Sequence, residues 1–233
     1  MTNDVRVLVV DDEKSLRDFV RRNLEVRSYS VETAANGLEA LALMQQQTFD
    51  LVILDLMMPN MDGLETTRKI RMNSRVPIIV LTALGEETDK IQAFEMGVDD
   101  YLTKPFGVGE LLARVRAVLR RTSWEQQPPI QGEKIINRAG VTIDIDRRQV
   151  TYKDREINLT PTEFNLLYQL MKEAGKVLTH RDLLQRVWGQ EYGGETEYVR
   201  VYIGRLRSKL EDDPNQPSLL RTIRGVGYSF TID

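Results

Sequence analysis

A doubly wound α/β domain built on a five-stranded parallel sheet, followed by a smaller α+β domain, is the architecture this sequence predicts. Three observations carry that expectation. Up to about Thr122, five short apolar runs alternate with five stretches of helical periodicity, the order of a parallel sheet with crossover helices. Runs such as Val7-Leu8-Val9-Val10 and Leu51-Val52-Ile53-Leu54 are apolar at successive positions, which suits strands buried on both faces. Beyond Gly132 the order changes to short strands, then three helical patterns, then a terminal hairpin.

The strand runs of the first part are Val5–Val10, Ser30–Thr33, Leu51–Leu54, Ile78–Leu81 and Tyr101–Thr103. Helical stretches fall near Lys14–Arg27, Gly37–Gln46, Gly63–Met72, Glu86–Met96 and Gly107–Arg121. The segment Thr122–Gly132 breaks every period and holds Pro128-Pro129, so it reads as a linker. Domains are therefore expected at 1–121 and 133–233, with 122–132 between them. In the second domain, strand patterns fill Lys134–Leu159. Thr160-Pro161-Thr162-Glu163 starts a helix: a threonine cap, proline at the first helical position and glutamate closing a capping box. Thr179 is expected to cap the next helix, and Arg224–Tyr228 to form the hairpin.

Composition excludes several chemistries. The chain has 233 residues, no cysteine and one histidine, His180. Disulfides, thiolate catalysis, cysteine-ligated metals and any histidine pair are thereby ruled out. No apolar run reaches the roughly 18 residues of a membrane span, and the N-terminus has no signal-peptide pattern. A soluble cytoplasmic protein without a membrane partner is the expectation. Net charge is 32 − 35 = −3, so nothing global announces nucleic acid. Locally, Val199–Leu210 carries Arg200, Arg205, Arg207 and Lys209 with no acid among them.

The strand ends of the first domain carry the chemistry. Asp11 and Asp12 follow the first strand, Asp55 ends the third, Thr82 the fourth, and Lys104 the fifth. Alone, Asp11-Asp12 would read as a cap for the helix at Lys14. Gathered at one edge of a parallel sheet, three carboxylates raise each other's pKa unless a cation is present, which predicts a divalent metal, best Mg²⁺. Metal and Lys104 would neutralise a transferring phosphoryl group, Thr82 would hydrogen-bond an oxygen, and Asp55 would be the nucleophile.

The motifs VVDDE, LDLMMPNMDG, LTA and GVDDYLTKPF, in that order over residues 4–121, resemble the receiver domain of two-component response regulators, a CheY-like fold. The resemblance implies that Asp55 is the phospho-acceptor, supplied by a phosphohistidine on a cognate sensor histidine kinase. It implies that Asp12 and Asp55 ligate Mg²⁺, with Asp11 acting largely through water and the Met57 carbonyl as a backbone ligand. Thr82 and Tyr101 resemble the switch pair, and Pro59 and Gly63 shape the loop after the acceptor. In the OmpR/PhoB-type subfamily the face made by helical stretches 86–96 and 107–121 with strand 101–103 pairs across a two-fold axis. That resemblance implies cross-subunit pairs Lys90 with Glu110, Asp100 with Arg114, and Asp99 with Arg121, and a homodimer formed on phosphorylation. Exposed pairs contribute only about 0–1 kcal/mol each, so such an assembly is easily switched.

In the second domain Val199, Ile203, Leu206 and Leu210 form one apolar stripe of a helix. Opposite it lie Glu197, Val201, Gly204, Arg205 and Ser208, with Arg200 and Arg207 on one flank and Tyr198, Tyr202 and Lys209 on the others. Gly204 costs about 1 kcal/mol inside a helix, and Val201 gains nothing in water; both make sense if another surface approaches closely. INLTPTEFNLLYQL, VLTHRDLLQRVWG, VRVYIGRLRSKLE and LLRTIRGVGYSF resemble the winged-helix DNA-binding domain of OmpR/PhoB-type regulators. By that resemblance the helix from Thr196 is the recognition helix and Arg224–Tyr228 the wing. Arg205 and Val201 are expected to read bases of double-stranded promoter DNA, with Arg200, Arg207 and Lys209 on phosphates and Tyr202, Thr222, Arg224 and Tyr228 adding contacts. Val199-Arg200-Val201-Tyr202-Ile203 is closer to the potassium-transport regulators of the subfamily. Trp188 and His180 read as core and helix-surface residues.

The sequence thus reads as a phosphorylation-activated transcription factor, not an enzyme, with RNA polymerase a candidate partner. Two alternatives stand beside it. A metal-dependent phosphohydrolase or nuclease would use Asp11, Asp12 and Asp55 but lacks a second acid–base group. A phosphorylation-regulated adaptor would grip a protein with its second domain.

Overall fold

The computed structural model describes residues 5–83, 96–122, 134–193 and 196–232. The helical stretch expected at 86–96 (apart from Met96), the linker residues 123–132 with Trp124, and Lys90 lie outside the described residues. Two compact units divide the chain, residues 1–122 and 123–233.

In the first unit the elements run β1 (Arg6–Val10), α1 (Lys14–Glu25), β2 (Ser30–Ala34), α2 (Gly37–Gln46), β3 (Leu51–Asp55), α3 (Gly63–Asn73), β4 (Ile78–Thr82), β5 (Asp100–Thr103) and α4 (Val108–Thr122). All pairings are parallel, in the order β2-β1-β3-β4-β5. Strand residues of alternate parity feed two separate cores. Leu8, Val10, Val52, Leu54, Ile78 and Val80 pack with Ala40 and Ile70 of α2 and α3. Val7, Val9, Leu51, Ile53, Ile79 and Leu81 pack with Val20, Leu24, Leu111, Val115 and Val118 of α1 and α4. That two-sided burial explains the uninterrupted apolar runs. Strand order reverses between β1 and β3, so the crevice of the fold opens at their C-terminal ends.

Local chemistry starts the helices. Asn36 caps α2 by accepting the Glu39 amide, and Asp62 caps α3 by accepting the Glu65 amide. The Asp11-Asp12 cap is not realised: Glu13 occupies the cap position of α1 without a side-chain bond, while Asp11 Oδ1 accepts the Glu13 amide at 2.8 Å. After β3 the chain turns through Asn60 in the left-handed region (φ 71°). Gly63 then lies so close to β3 that a Cβ there would sit 2.3 Å from the Asp55 carbonyl oxygen.

The second unit is a winged helix-turn-helix domain. Strands β6 (Ile135–Arg138), β7 (Val141–Asp144), β8 (Gln149–Tyr152) and β9 (Arg155–Glu156) form an antiparallel sheet. Then come α5 (Pro161–Lys172), β10 (Leu178–Thr179), α6 (His180–Val187), α7 (Thr196–Leu210), β11 (Leu220–Ile223) and β12 (Gly227–Phe230). Thr160 with Glu163, and Thr179 with Asp182, form complete capping boxes. The apolar stripe of α7 is buried as expected, and Trp188 lies fully inside, edge-on to Tyr198 and Tyr202. His180 leans on the wing, its Nδ1 3.1 Å from the Val226 carbonyl and its ring edge-on to Tyr228.

Candidate functional site

At the C-terminal edge of the parallel sheet, Asp11, Asp12 and Asp55 each offer a carboxylate oxygen, and these lie within 4.8 Å of one another. Asp11 and Asp55 are buried and Asp12 is exposed. Lys104, at the end of β5, reaches both buried acids: its Nζ stands 2.9 Å from Asp11 Oδ2 and 3.1 Å from Asp55 Oδ1. The Lys104 amide also donates to the Thr82 carbonyl at 2.7 Å, tying the ends of β4 and β5 together. Thr82 is buried at the same edge, and Tyr101, half-buried, packs on the α2–α3 side of the core.

Burial raises the Asp55 carboxyl above its usual range; Lys104 opposes this, the Asp11 charge adds to it, and a backbone bond from Met57 lowers it. Burial works against the Lys104 ammonium, but its bonds to Asp11 and Asp55 more than offset that and hold it above the ordinary lysine value. One lysine thus faces a crowded set of acids, and a divalent cation relieves the remaining repulsion. The donors suit Mg²⁺: all are carboxylate oxygens, few in number, with the exposed Asp12 leaving room for coordinated water. Chemically, the arrangement offers an oxygen nucleophile, a metal seat and a fixed ammonium around one point.

On the charged face near β5 the acids have partners within the chain. Asp99 and Asp100 are fully buried. Asp99 pairs within the chain with Arg71 at 2.9 Å and accepts the Ile78 amide, and Arg71 also donates to the Val76 and Gly97 carbonyls. Asp100 faces Arg114 at 3.6 Å and Arg121 at 3.4 Å of the same chain, and Arg121 is itself buried and donates to the Asp99 carbonyl. In this subunit Asp99 and Asp100 are enclosed and paired within their own chain, so the expected cross-subunit pairs of Asp99 with Arg121 and Asp100 with Arg114 require an exchange of partners on dimerisation. Glu110 remains exposed, 4.0 Å from Arg114. Sequence reading missed Arg71, because nothing local distinguishes it from other basic residues of α3.

On the basic helix α7, too, charged side chains turn to partners of their own domain. Arg205 turns inward to Glu163 at 2.7 Å, lies 4.7 Å over the Tyr202 ring, and keeps only 12% of its side chain exposed. Lys209 binds the other Glu163 oxygen at 2.6 Å and the Asn158 carbonyl at 2.9 Å. Arg207 donates to the Leu220 carbonyl at 2.6 Å and to Thr222 Oγ1 at 2.7 Å, bracing the wing. Tyr202 and Tyr228 are buried, so neither ring faces outward. Tyr202 thus joins the core instead of the DNA surface, and Arg205 does not stand at the outer face with Val201. What α7 presents outward is Glu197, Arg200, Val201, Gly204 and Ser208, flanked on the wing by exposed Arg221, Thr222 and Arg224. Glu163 organises this helix. Its capping box gave the sequence signal for its place, but not for its charge partners.

Comparison with known proteins agrees with both halves. Residues 7–116 match the response regulator receiver domain, and 154–230 match the C-terminal domain of transcriptional regulatory proteins. The chain is 45% identical over its full length to the KDP operon transcriptional regulatory protein KdpE of Escherichia coli, also covering all of that protein. It is 48% identical to a probable transcriptional regulator, ycf27, of Guillardia theta, over 97% of this chain and 90% of that one. Among solved structures, a RitR mutant superposes with a TM-score of 0.79 at 30% identity, over 98% of this chain and 100% of that one. DrrB of Thermotoga maritima, an OmpR/PhoB homolog, gives 0.52 at 35% identity, over 97% and 99%.

Proposed function

The chain belongs to the two-component response regulators of the OmpR/PhoB type, a receiver followed by a DNA-binding domain, and from that premise we propose that one phosphoryl group on Asp55 controls its engagement of promoter DNA. The supporting observation is the convergence of Asp55, Lys104 and the Asp11–Asp12 pair at one sheet edge. A carboxylate oxygen of Asp55 attacks phosphorus, forming an acyl phosphate, while the bond from phosphorus to the donor nitrogen breaks and the donor histidine keeps the electron pair. The donor is a cognate sensor histidine kinase. Asp11, Asp12, Asp55 and the Met57 carbonyl would hold Mg²⁺, which supplies neutralising charge at the phosphoryl oxygens. Lys104 shifts from Asp11 and Asp55 to a phosphoryl oxygen, and the Thr82 hydroxyl donates to another, with Tyr101 following inward. The modified receiver then pairs as a homodimer in the cytoplasm, as a population shift toward a pairing-competent face. Arg200, Val201 and the wing residues Thr222 and Arg224 meet the duplex, and RNA polymerase is the downstream partner. The KDP-operon relative makes a potassium-transport operon one candidate target.

The test is intact-mass measurement after incubation with acetyl phosphate and Mg²⁺. The expected result is a gain of one phosphoryl unit, lost in Asp55→Asn and on chelation of the metal. Labelling that persists in Asp55→Asn would overturn the assignment. Lys104→Ala should still bind Mg²⁺ but lose phosphorylation-dependent dimerisation, read by sedimentation.

A further inference from the structure

Glu163 is a buried acid that the phosphoryl chemistry does not use. It lies at the start of α5, fully enclosed, and its two carboxylate oxygens receive Arg205 at 2.7 Å and Lys209 at 2.6 Å. It also accepts the Thr160 amide at 2.7 Å. Of the four cations on the stretch that reads as the recognition helix, two are therefore drawn onto one carboxylate of their own domain, which balances one of their two charges. Arg207 is directed to the wing backbone, which leaves Arg200 as the cation on the outward face.

Charge on a DNA-binding surface has two separable effects. Cations on phosphates raise affinity for every sequence, and each phosphate neutralised adds about 0.9 to the slope of log affinity against log salt. Contacts to base edges discriminate between sequences. A protein that withholds cations from phosphates gives up general affinity and gains in the ratio of specific to non-specific binding.

We propose that Glu163 is an internal counter-ion that competes with DNA phosphates for Arg205 and Lys209, and so determines specificity by limiting sequence-independent attraction to the recognition helix. The proposal rests on the reading of this domain as DNA-binding. Both cations are long enough to leave Glu163, and Lys209 keeps 34% of its side chain exposed. Glu163 acts through them and touches no DNA.

Glu163→Gln is a clean test, because glutamine can still accept the Thr160 amide and complete the capping box while losing its charge. Full-length protein would be titrated with a random-sequence duplex and with a site selected from a random pool, at several salt concentrations, with circular dichroism confirming the fold. The expected result is tighter binding to the random duplex, with a slope steeper by up to about 1.8 for two released cations, and a smaller specific-to-non-specific ratio. An unchanged slope and affinity in folded Glu163→Gln overturns the proposal. Should that variant fail to fold, Arg205→Gln and Lys209→Gln in the otherwise unchanged chain decide it. Withheld cations predict a random-duplex slope within experimental error of wild type, and a fall of about 0.9 for either variant overturns the proposal. A wild-type chain with no salt-dependent binding to any duplex would instead overturn the DNA-binding reading itself.

Discussion

The acidic crevice of the receiver and the basic helix of the winged-helix domain were both visible as charge patterns, yet only the first is assembled as the pattern implies. In the crevice, Asp11, Asp12, Asp55 and Lys104 converge within a few ångströms. On α7, three of four cations turn away from the face where a helical wheel puts them or beside it. The difference lies in how tightly backbone position fixes the charged atom. An aspartate at a strand end has a carboxylate one carbon beyond its Cβ, and parallel register sets its neighbours. An arginine or lysine places its charge several rotatable bonds from the helix, and it goes to whichever acid lies in reach. Long side chains make the wheel a guide to Cβ atoms, not to charges.

Asp99 and Asp100 lie between these cases and give the largest test. Asp99 is short and was legible as an acid, but its partner Arg71 comes from a helix 28 residues earlier. Removing one member of a buried pair leaves the other uncompensated, at a cost of about 3–5 kcal/mol. Asp99→Ala should therefore destabilise the chain by that order in urea unfolding followed at the receiver transition. A loss below 1 kcal/mol would place Asp99 with the weak exposed pairs first expected of it. Arg200→Ala sharpens the other side of the comparison. As the outward cation of α7, it should cost about 1–3 kcal/mol on a selected site if it contacts a base, measured by fluorescence titration, with little change in melting temperature.

Titration separates buried from exposed charge directly. Burial works to raise the Glu163 carboxyl, but Arg205 and Lys209 overcome it, and Glu163 ends below the usual glutamate range. A depressed folded-state pKa contributes stability that is present above the unfolded value of about 4.3 and is lost as pH falls through the folded one. Wild type should thus lose its stability advantage over Glu163→Gln progressively below about pH 4.3, in melts taken from pH 7 downward. A difference that stays constant across that range would mean the carboxylate is not held charged by its partners.

Most of the fold was legible because its signals are periodic or local. The buried strands showed as continuous apolar runs, and Thr160 and Thr179 announced their helices through capping boxes. The receiver site was legible because strand order converts sequence position into proximity. Tyr202 was misjudged by a narrow apolar stripe: Tyr198 and Tyr202 widen the buried arc of α7 by packing on Trp188, and aromatic rings adjoining a stripe carry no periodic signal of which way they turn. Glu163 could not be matched with Arg205 and Lys209 because they lie 42 and 46 residues away, across two helices.

Gly204 offers the smallest and most discriminating test of what the outer face of α7 is for. It lies mid-helix and exposed, and a Cβ built there would meet nothing within 4 Å. No packing therefore requires glycine. Its left-handed freedom is unused inside a right-handed helix, so the residue only adds to the entropy lost on folding. Gly204→Ala should stabilise the domain by about 0.5–1 kcal/mol, seen as a small rise in melting temperature. If the outer face takes a duplex at close range, the added methyl holds the helix away from base edges beside Val201, and affinity for the selected site should fall while stability rises. Opposite movement of the two quantities is a signature that a structural role cannot produce. If Gly204→Ala stabilises the protein and binds the selected site as wild type does, close approach at this turn of the helix is wrong, and discrimination must come from Arg200 and the wing.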